Sequence, residues 1–433
     1  MKAAEPETSE QPRHAFAPLE GVRVVDLTKV LAGPLCTQYL AELGAQVVKV
    51  EPCDGGDDTR NWPPLMGNDG AIFLNSNRNK QSLAVDLKSD QGREILWRLI
   101  DSADVLVESY RTGAMERLGF GYEAVHKRNP RLVYASISGF GRTGPLAALP
   151  GYDLMMQAFS GIMSFTGEKN GGPVRIAVSP LDQATGLWTA FGLLAALRHR
   201  DATGEGKYLE TSLFESAMAL QGWNAQAYWT NGKAPKPAGS GHDYLCPYQA
   251  FKAQDRYILI AVGNDKIWRQ LCAAIGLDQY ADHPRFRTNP LRVEHFAETV
   301  ELVGRRVSEK TVDEWAAILD AAGVPNSPIN GLDAVLEMPH TRERGMVMEY
   351  EHPVYGRQKA MAMPVRFDGV SRQVKRAPPI LGQHSAEVLR ALDYSDDEIE
   401  CMKAIGVVVD QPVNKSAAES AAEGKTREIR DWL

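Results

Sequence analysis

The residue with the clearest chemical potential is Asp153, in the run Gly151-Tyr152-Asp153-Leu154-Met155-Met156. It stands at the entrance to an apolar stretch, shortly after a Gly/Pro-rich loop that begins at Ser138. A carboxylate in this position can cap the helix that follows it. It can also act as a nucleophile, because glycine-rich loops allow backbone N–H groups to stabilise an oxyanion. Spacing alone leaves both roles open.

Cations that could bind a phosphorylated ligand fall in two segments. The first is Asn75-Ser76-Asn77-Arg78-Asn79-Lys80, where two cations and three amides precede a predicted strand. Arg and Lys beside amide donors suit phosphate oxygens, although a solvated loop has the same composition. The second segment holds Arg111 and Arg117, and it fits an anion site and a solvated helix face equally well.

Several familiar catalytic patterns are missing from the sequence. There is no GxGxxG after the first predicted strand and no phosphate-binding GxxxxGK segment, which argues against NAD, FAD or ATP. There is no G-x-S-x-G segment, so a serine nucleophile is not expected. The five cysteines are scattered without metal-ligand spacing, and we therefore expect no metal site.

The composition is that of an ordinary globular protein. Apolar residues make up 44% of the 433 positions and charged residues 24%. The net charge of −7 argues against a general nucleic-acid binder, which would present a basic face. No apolar run reaches membrane-spanning length, so we expect no membrane partner. A sparse, odd set of cysteines and the acidic first residues favour a cytoplasmic location.

Strand and helix patterns alternate through the first half of the chain. Short buried strands are predicted at 22–27, 46–51, 82–87, 104–108, 131–137 and 207–210. Helical spacing of apolar residues predicts helices at 35–43, 90–101, 181–200 and 212–229. This alternation predicts an α/β fold with an open, Rossmann-like parallel sheet.

A second, smaller α+β domain is predicted after a Pro/Gly/Lys stretch between Gly232 and Gly241. It would contain a hairpin at 248–253 and 256–262 and helices at about 265–275, 293–306 and 315–321. The chain is therefore divided into a disordered lead-in (1–17), a large α/β domain (18–230), the small domain (231–330), a return to the large domain (331–410) and a tail (411–433).

An ordered set of motifs from Pro18 to about Val409 resembles the class III CoA-transferases, the family of formyl-CoA transferase and carnitine-CoA transferase. Each motif is weak alone, and the specificity lies in their order. The set comprises Leu19-Glu20-Gly21-Val22-Arg23-Val24-Val25-Asp26-Leu27, Leu31-Ala32-Gly33-Pro34, Leu43-Gly44-Ala45-Gln46-Val47-Val48-Lys49-Val50-Glu51, Asn77-Arg78-Asn79-Lys80, Arg117-Leu118-Gly119, Ser138-Gly139-Phe140-Gly141, Gly151-Tyr152-Asp153 and Leu381-Gly382-Gln383-His384.

The resemblance implies roles for individual residues. The catalytic carboxylate matches Asp153, which favours a nucleophile over a helix cap. CoA contacts match Val30, Leu31, Leu74, Asn75, Asn77, Glu108, Tyr110, Arg117 and Ser138. Some relatives carry a basic residue where Pro52, Tyr110 or Ser138 stands, so Arg60, Arg78, Lys80 or Arg111 is expected to supply that charge. The family fold also implies an interlocked homodimer.

Among these enzymes, the chain looks closest to the succinyl-CoA–glutarate type, which acts on dicarboxylates. The stretches behind this are Gly56-Asp57-Asp58-Thr59-Arg60, Pro247-Tyr248-Gln249-Ala250-Phe251-Lys252 and Glu351-His352-Pro353. The second carboxylate of such a substrate needs a cation, for which Arg60 and Arg175 are the candidates. The other expected substrate contacts are Gly139, Phe140, Tyr152, Gly241 and His242, the last two in a loop over the acyl group.

The resemblance also implies a mechanism. The Asp153 carboxylate attacks an acyl-CoA to form an aspartyl anhydride, and CoA thiolate converts the anhydride into an aspartyl-CoA thioester that an acceptor acid resolves. CoA and its thioesters enter as substrates, and no metal is expected. The alternative is an α-methylacyl-CoA racemase of the same superfamily. Racemases carry a His where Tyr152 stands, paired with an Asp that matches Asp182, so Tyr152 disfavours this alternative.

Overall fold

The computed structural model describes residues 16–367 and 373–411. Contacts divide the chain into two compact units. The first unit comprises the described parts of Met1–Ser160, Ala177–Gln221 and His340–Leu433, and the second comprises Gly161–Ile176 and Gly222–Pro339. The domain boundaries at 230 and 330 stay predictions of the sequence. The predicted lead-in and tail lie almost entirely outside the described residues.

Strands occur in both units, and seven of the strands described in the first unit build one large sheet. In chain order they are β1 (Arg23–Leu27), β2 (Gln46–Glu51), β3 (Leu65–Met66), β4 (Asp69–Gly70), β5 (Lys80–Val85), β6 (Val105–Glu108), β7 (Val133–Ser138), β8 (Tyr208–Ser212), β9 (Tyr248–Lys252), β10 (Tyr257–Ala261), β11 (Asn326–Pro328), β12 (Val347–His352), β13 (Gly356–Met361) and β14 (Val408–Val409).

Helices follow most strands of the large sheet. In chain order they are α1 (Ala32–Glu42), α2 (Ala71–Ser76), α3 (Asp90–Ser102), α4 (Ala114–Leu118), α5 (Tyr122–Arg128), α6 (Asp153–Phe159), α7 (Ile162–Phe165), α8 (Pro180–Thr203), α9 (Leu213–Leu220), α10 (Gly222–Asn231), α11 (Asp265–Ala274), α12 (Asn289–Glu294), α13 (Phe296–Val307), α14 (Val312–Ala321), α15 (Leu332–Glu337), α16 (Pro339–Glu343), α17 (Ser385–Ala391) and α18 (Asp396–Ala404).

The large sheet has the strand order β14-β5-β2-β1-β6-β7-β8. Every pair is parallel except β14 with β5, so one antiparallel strand closes an edge that the sequence had predicted to be parallel throughout. From β1 the order runs through β2 to β5 on one side and through β6 to β8 on the other. This is the doubly wound arrangement, and the predicted α/β class is confirmed.

The strands of the large sheet are nearly continuous hydrophobic runs, because side chains on both faces of the sheet are buried. Leu83, Ile95, Leu106 and Phe120 belong to the main core and are fully buried. Parallel strands covered by helices on both faces require this pattern, which is why the sequence located them well.

The second unit contains the three-stranded antiparallel sheet β11-β10-β9 and the helices around it. Its core is centred on Trp268, Trp315 and Ile260. Two segments predicted as single helices, 212–229 and 293–306, are each broken into two. The first breaks between Leu220 and Gly222, where glycine lowers the local helix propensity.

Candidate active site

A cavity of about 420 Å³ opens at the carboxyl ends of β1, β6 and β7. Leu27, Ser109 and Ser138, at or just beyond these strand ends, form part of its wall. The order of the sheet reverses between β1 and β6, and open α/β sheets bind ligands at such a switch point. The cavity is therefore the candidate active site of the first unit.

Two glycines bring the loop after β7 against the loop before α6. A Cβ built on Gly139 would come within 2.8 Å of the Cα of Gly151, so neither position has room for a side chain. The turn is further fixed by Ser138, whose Oγ accepts a hydrogen bond from the Gly141 N–H at 2.9 Å. This close approach places Tyr152 in the cavity wall beside Ser138 and Gly139.

Asp153 is the first residue of α6, but its carboxylate accepts hydrogen bonds from the beginning of α8. Its Oδ2 accepts hydrogen bonds from the backbone N–H groups of Leu181 at 2.7 Å and Asp182 at 3.1 Å. These are first-turn donors of α8, whose own N-cap residue makes no side-chain cap bond. The Gln157 amide donates to Oδ1. The side chain is only 6% exposed, and Asp153 does not belong to the cavity wall.

Asp182 lies in the first turn of α8 and lines the cavity. No described residue donates a hydrogen bond to its carboxylate, although its own backbone N–H binds Asp153. Burial and the negative charge of Asp153 raise the pKa of Asp182 to about 7. A carboxylate with a free lone pair and a raised pKa is a stronger nucleophile than an ordinary aspartate.

Buried ion pairs fix the loops beneath one side of the cavity. Lys49 pairs with Asp57 at 3.0 Å, and Lys80 pairs with Asp26 at 3.0 Å, with all four side chains fully buried. Burial would raise the pKa of Asp26, but the ammonium groups of Lys80 and Lys49 lower it to about 2. Buried charges are tolerated because each is paired and hydrogen-bonded. The network ties β1 and β2, near their carboxyl ends, to Lys80 at the beginning of β5.

A second cavity of about 210 Å³ adjoins the turn after β6 and is walled in part by Tyr122, Tyr134 and Tyr208. Glu108 lies at its base, with its carboxylate bound by Arg142 at 2.6 Å. Burial raises the pKa of Glu108 despite that contact. Glu108 thus acts inside the fold, where it orders Arg142 and the Tyr110 backbone.

Two further findings concern only the parts of the chain that the structure describes. Among residues 16–367 and 373–411, no helix is long and apolar enough to cross a membrane. In the same ranges, no cluster of three or more His, Cys, Asp or Glu side chains has the geometry of a metal site.

Comparison with known proteins identifies the family to which the chain belongs. The model of CoA-transferase family III matches residues 19–385. Human succinyl-CoA:glutarate CoA-transferase is 39% identical over 393 residues, with 90% of each chain covered. The chain belongs to CoA-transferase family III. It is an enzyme of that family, and the predicted resemblance is confirmed.

Other relatives and a solved structure agree with this assignment. The succinate–glutarate CoA-transferase of Agrobacterium fabrum is 35% identical, covering 87% of this chain and 96% of the relative. The acetyl-CoA:oxalate CoA-transferase of Acetobacter aceti is 38% identical, covering 79% and 88%. The crystal structure of a CaiB/BaiF family protein from Brucella suis matches with a TM-score of 0.78 at 36% identity, covering 87% of this chain and all of the other.

The candidate cavity brings together seven of the residues predicted from sequence. Their side chains or backbone come from the ends of three strands and from the loop before α6. They are Val30, Leu31, Tyr110, Arg111, Ser138, Gly139 and Tyr152. Phe140 packs next to this group, with its ring centroid 5.0 Å from that of Phe159.

Other predicted CoA contacts lie in the first unit but outside the cavity wall. Leu74 and Asn75 are on α2, and Arg117 is exposed on α4. Asn77 is fully buried and accepts a hydrogen bond from Lys80 at 2.8 Å. Arg78 is also buried, where it pairs with Glu42 at 2.6 Å and donates to the Met361 carbonyl. Asn77 and Arg78 therefore stabilise the fold in this structure.

The residues expected to contact the dicarboxylate substrate, including the cations for its second carboxylate, lie in different surroundings. Arg60 is buried, donates to both carboxylate oxygens of Glu51 and pairs with Asp69 at 2.5 Å. Its guanidinium also lies 3.6 Å above the ring centre of Phe73. These contacts leave Arg60 committed to the fold, so the substrate role predicted for it is not supported. Arg175, Gly241 and His242 belong to the second unit.

Two residues of the cavity wall, Asp182 and Lys29, were not predicted as site residues of a transferase. Asp182 was named only as the match of the aspartate in the racemases, because an acidic residue in the first turn of a helix ordinarily stabilises the helix dipole. Lys29 follows β1, the central strand of the large sheet, and only that position could have indicated that it lines a ligand site. Its meaning depended on the strand order, which the sequence does not reveal.

Proposed function

We propose that this enzyme transfers CoA from succinyl-CoA to a dicarboxylic acid of the size of glutarate. The observation that carries the proposal is a free aspartate, Asp182, in the wall of a cavity at the switch point of a family III CoA-transferase. Relatives named for succinyl-CoA and glutarate support the dicarboxylate class.

Asp182 is proposed as the nucleophile in place of Asp153. The support is the contrast in their contacts, since both oxygens of Asp153 accept hydrogen bonds from the protein and no described residue donates to the carboxylate of Asp182. An attacking oxygen needs an available lone pair and access to the acyl carbon. Only Asp182 of the two belongs to the cavity wall.

In the first half of the reaction, an oxygen of Asp182 attacks the thioester carbonyl of the donor. The C–S bond breaks, CoA leaves as a thiolate and an aspartyl–acyl anhydride forms. The thiolate then attacks the aspartyl carbonyl, which releases the donor acid as its carboxylate and leaves CoA on Asp182 as a thioester. The covalent intermediates divide one difficult exchange of acyl partners into easier steps.

In the second half, the acceptor carboxylate attacks the aspartyl thioester and CoA leaves again as a thiolate. The thiolate attacks the acceptor carbonyl of the new anhydride, which gives acceptor-CoA and returns Asp182 to its ionised form. The steps balance without an oxidant, a metal or a net proton. Backbone N–H groups of the loop that contains Gly139 and Gly141 are the proposed donors to each tetrahedral oxyanion.

Asp153 is proposed to position Asp182. Its carboxylate holds the N–H groups of Leu181 and Asp182, and so fixes the first turn of α8. Its negative charge also contributes to the raised pKa of Asp182. Asp153 therefore stays hydrogen-bonded to the beginning of α8 and raises the pKa of the nucleophile without reacting itself.

CoA itself is proposed to lie against the cavity wall formed by Val30, Leu31, Tyr110, Arg111 and Ser138. Arg111 is exposed and follows the end of β6, where a cation can meet a phosphate group. The support for these contacts is their convergence on one cavity from three separate strand ends.

An interlocked homodimer is proposed for the assembled enzyme. Apolar side chains on α8 are largely exposed, with Phe191 at 67%, Leu187 at 53% and Trp188 at 49% of their possible surface. Soluble monomers rarely leave such a contiguous apolar face open to water. Light scattering during size-exclusion chromatography tests this proposal, and a stable monomer at micromolar concentration would contradict it.

The transfer assay uses succinyl-CoA and isotopically labelled glutarate, with labelled valerate as the monocarboxylate of equal chain length. We expect labelled glutaryl-CoA and much less valeryl-CoA. Hydrolysis of succinyl-CoA without transfer to any member of a dicarboxylate panel would contradict the proposal. Deuterium exchange at the acyl α-carbon in the absence of an acceptor acid would instead favour the racemase.

A further inference from the structure

Lys29 is a cation of the cavity wall that the fold leaves nearly unpaired. Its ammonium has one acidic neighbour among the described residues, Asp58, at 3.7 Å. The two side chains are 36% and 57% exposed, and an ion pair this long and this exposed contributes little stability. Both residues line the cavity. The ammonium is therefore available to a ligand.

The backbone that carries Lys29 is held from several sides. The Lys29 N–H donates to Ser109 Oγ at 3.0 Å, and buried Lys49 donates to the Thr28 carbonyl at 2.8 Å. The Val30 N–H donates to Asp57 at 3.2 Å. Val30 has a φ of 72°, which is strained for a β-branched residue and persists only where the surroundings impose it. The loop is rigid, and only the Lys29 side chain is free to adjust.

The Lys29 loop adjoins the helix that carries Asp182. Ala32, at the start of α1, packs against Gly186 of α8 so closely that a Cβ on Gly186 would lie 2.6 Å from the Ala32 carbonyl oxygen. Gly186 is four residues after Asp182 and therefore on the same face of α8. Lys29 is three residues before Ala32. The contact thus brings the loop that carries Lys29 next to the helix that carries Asp182, and both side chains line the cavity.

The other two cations in the cavity wall, Arg111 and Arg142, and the nearby candidate Arg60 are less suited to a small acid. The guanidinium of Arg142 donates to Glu108 and to the carbonyls of Tyr110 and Ile137. Arg60 is committed to Glu51 and Asp69. Arg111 is exposed on the loop after β6 and also borders the second cavity, a position that suits the larger CoA moiety.

We propose that Lys29 binds the non-reacting carboxylate of the dicarboxylic acid while the reacting carboxylate meets Asp182. This inference rests on the proposed function and makes Lys29 the residue that selects dicarboxylates over monocarboxylates. The substrate carboxylate replaces Asp58 as the partner of the ammonium. A shorter, charge-assisted hydrogen bond between Lys29 and the substrate then replaces the weak, exposed ion pair between Lys29 and Asp58.

The test compares Lys29→Met with Lys29→Arg, and Lys127→Met serves as a matched control because Lys127 is exposed on α5 and outside the cavity wall. Steady-state transfer is measured with glutarate and with valerate. The dissociation constant of free CoA is measured by calorimetry. Loss of a charged hydrogen bond predicts a KM for glutarate about 10- to 100-fold higher in Lys29→Met.

The same variant should leave the constants for valerate and the CoA dissociation constant within about twofold of the wild type. Lys29→Arg should recover most of the glutarate affinity. Weaker CoA binding in Lys29→Met would overturn the proposal and assign Lys29 to a CoA phosphate. An unchanged KM for glutarate would overturn it as well. Absence of transfer by the wild type would instead refute the proposed function.

Discussion

Two aspartates at the beginnings of neighbouring helices have opposite surroundings. Asp153, at the start of α6, is buried and accepts hydrogen bonds from the first turn of α8. Asp182, in that first turn, lines the cavity and accepts no side-chain or backbone hydrogen bond from the described residues. This contrast supports the proposal that Asp153 caps α8 and positions Asp182, while Asp182 is the nucleophile.

The largest expected effect follows from Asp182→Asn. An amide cannot form the anhydride, so transfer should decrease by about 10³-fold or more, as for other covalent nucleophiles. The dissociation constant of CoA should remain close to that of the wild type. Asp201→Asn, an exposed change at the far end of α8, is the matched control and should keep full activity. Robust transfer by Asp182→Asn would reverse the roles of the two aspartates.

Asp153→Ala should have a smaller effect. It removes the cap of α8 and shifts Asp182, and displacement of a reacting group typically costs about 10- to 100-fold in rate. Loss of the cap should also lower the free energy of unfolding by about 1–2 kcal/mol. Asp153→Asn should be milder, because its amide oxygen still accepts the two N–H groups. Kinetics and urea unfolding measure both variants, and a total loss of activity in Asp153→Asn contradicts a positioning role.

The pH dependence of kcat/KM provides a third test. Only the ionised form of Asp182 attacks, and burial beside Asp153 raises its pKa to about 7. The rate should therefore increase about tenfold per pH unit below pH 7 and then level off. In Asp153→Ala, the loss of a negative neighbour should move the inflection to lower pH. A profile that is flat between pH 5 and 8 would rule out Asp182 as the titrating nucleophile.

The smallest expected effect concerns stability. The folded-state pKa of Asp182 is raised from 3.8 to about 7, so its contribution to stability is present below about pH 4 and lost as pH rises through 7. A shift of about three pKa units corresponds to at most about 4 kcal/mol, and the buried amide of Asp182→Asn offsets part of that cost, so the free energy of unfolding at pH 8 should increase by about 1–2 kcal/mol. The difference should vanish at pH 4. Urea titrations at the two pH values measure it, and equal stabilities at pH 8 would contradict the burial of an unpaired charge.

Much of the fold could be predicted from the sequence because parallel strands buried on both faces leave continuous apolar runs. The runs at 46–51 and 104–108 correspond closely to β2 and β6. The antiparallel edge strand β14 could not be predicted, because a pair of valines has no periodicity. The break between α9 and α10 could not be predicted either, because apolar and aromatic residues continue through both segments.

The candidate site was predicted less completely. Its strand-end residues, such as Val30 and Ser138, were recognised because family motifs mark the loops after β1 and β7. The cap alternative for Asp153 concerned the helix that follows it, whereas the carboxylate accepts hydrogen bonds from the first turn of α8. That contact joins residues 28 positions apart, and local spacing carries no information about it. Arg60 seemed free in sequence because its partners Glu51 and Asp69 are brought to it only by folding.

The position of the covalent intermediate distinguishes Asp182 from Asp153 as the nucleophile. The enzyme is incubated with succinyl-CoA, quenched with hydroxylamine and digested with trypsin. Lys169 and Arg175 lie between the two aspartates, so the digest separates them into different peptides. We expect the hydroxamate on Asp182 and none on Asp153, with no label in Asp182→Asn. A hydroxamate on Asp153 would contradict the account and restore that residue as the nucleophile.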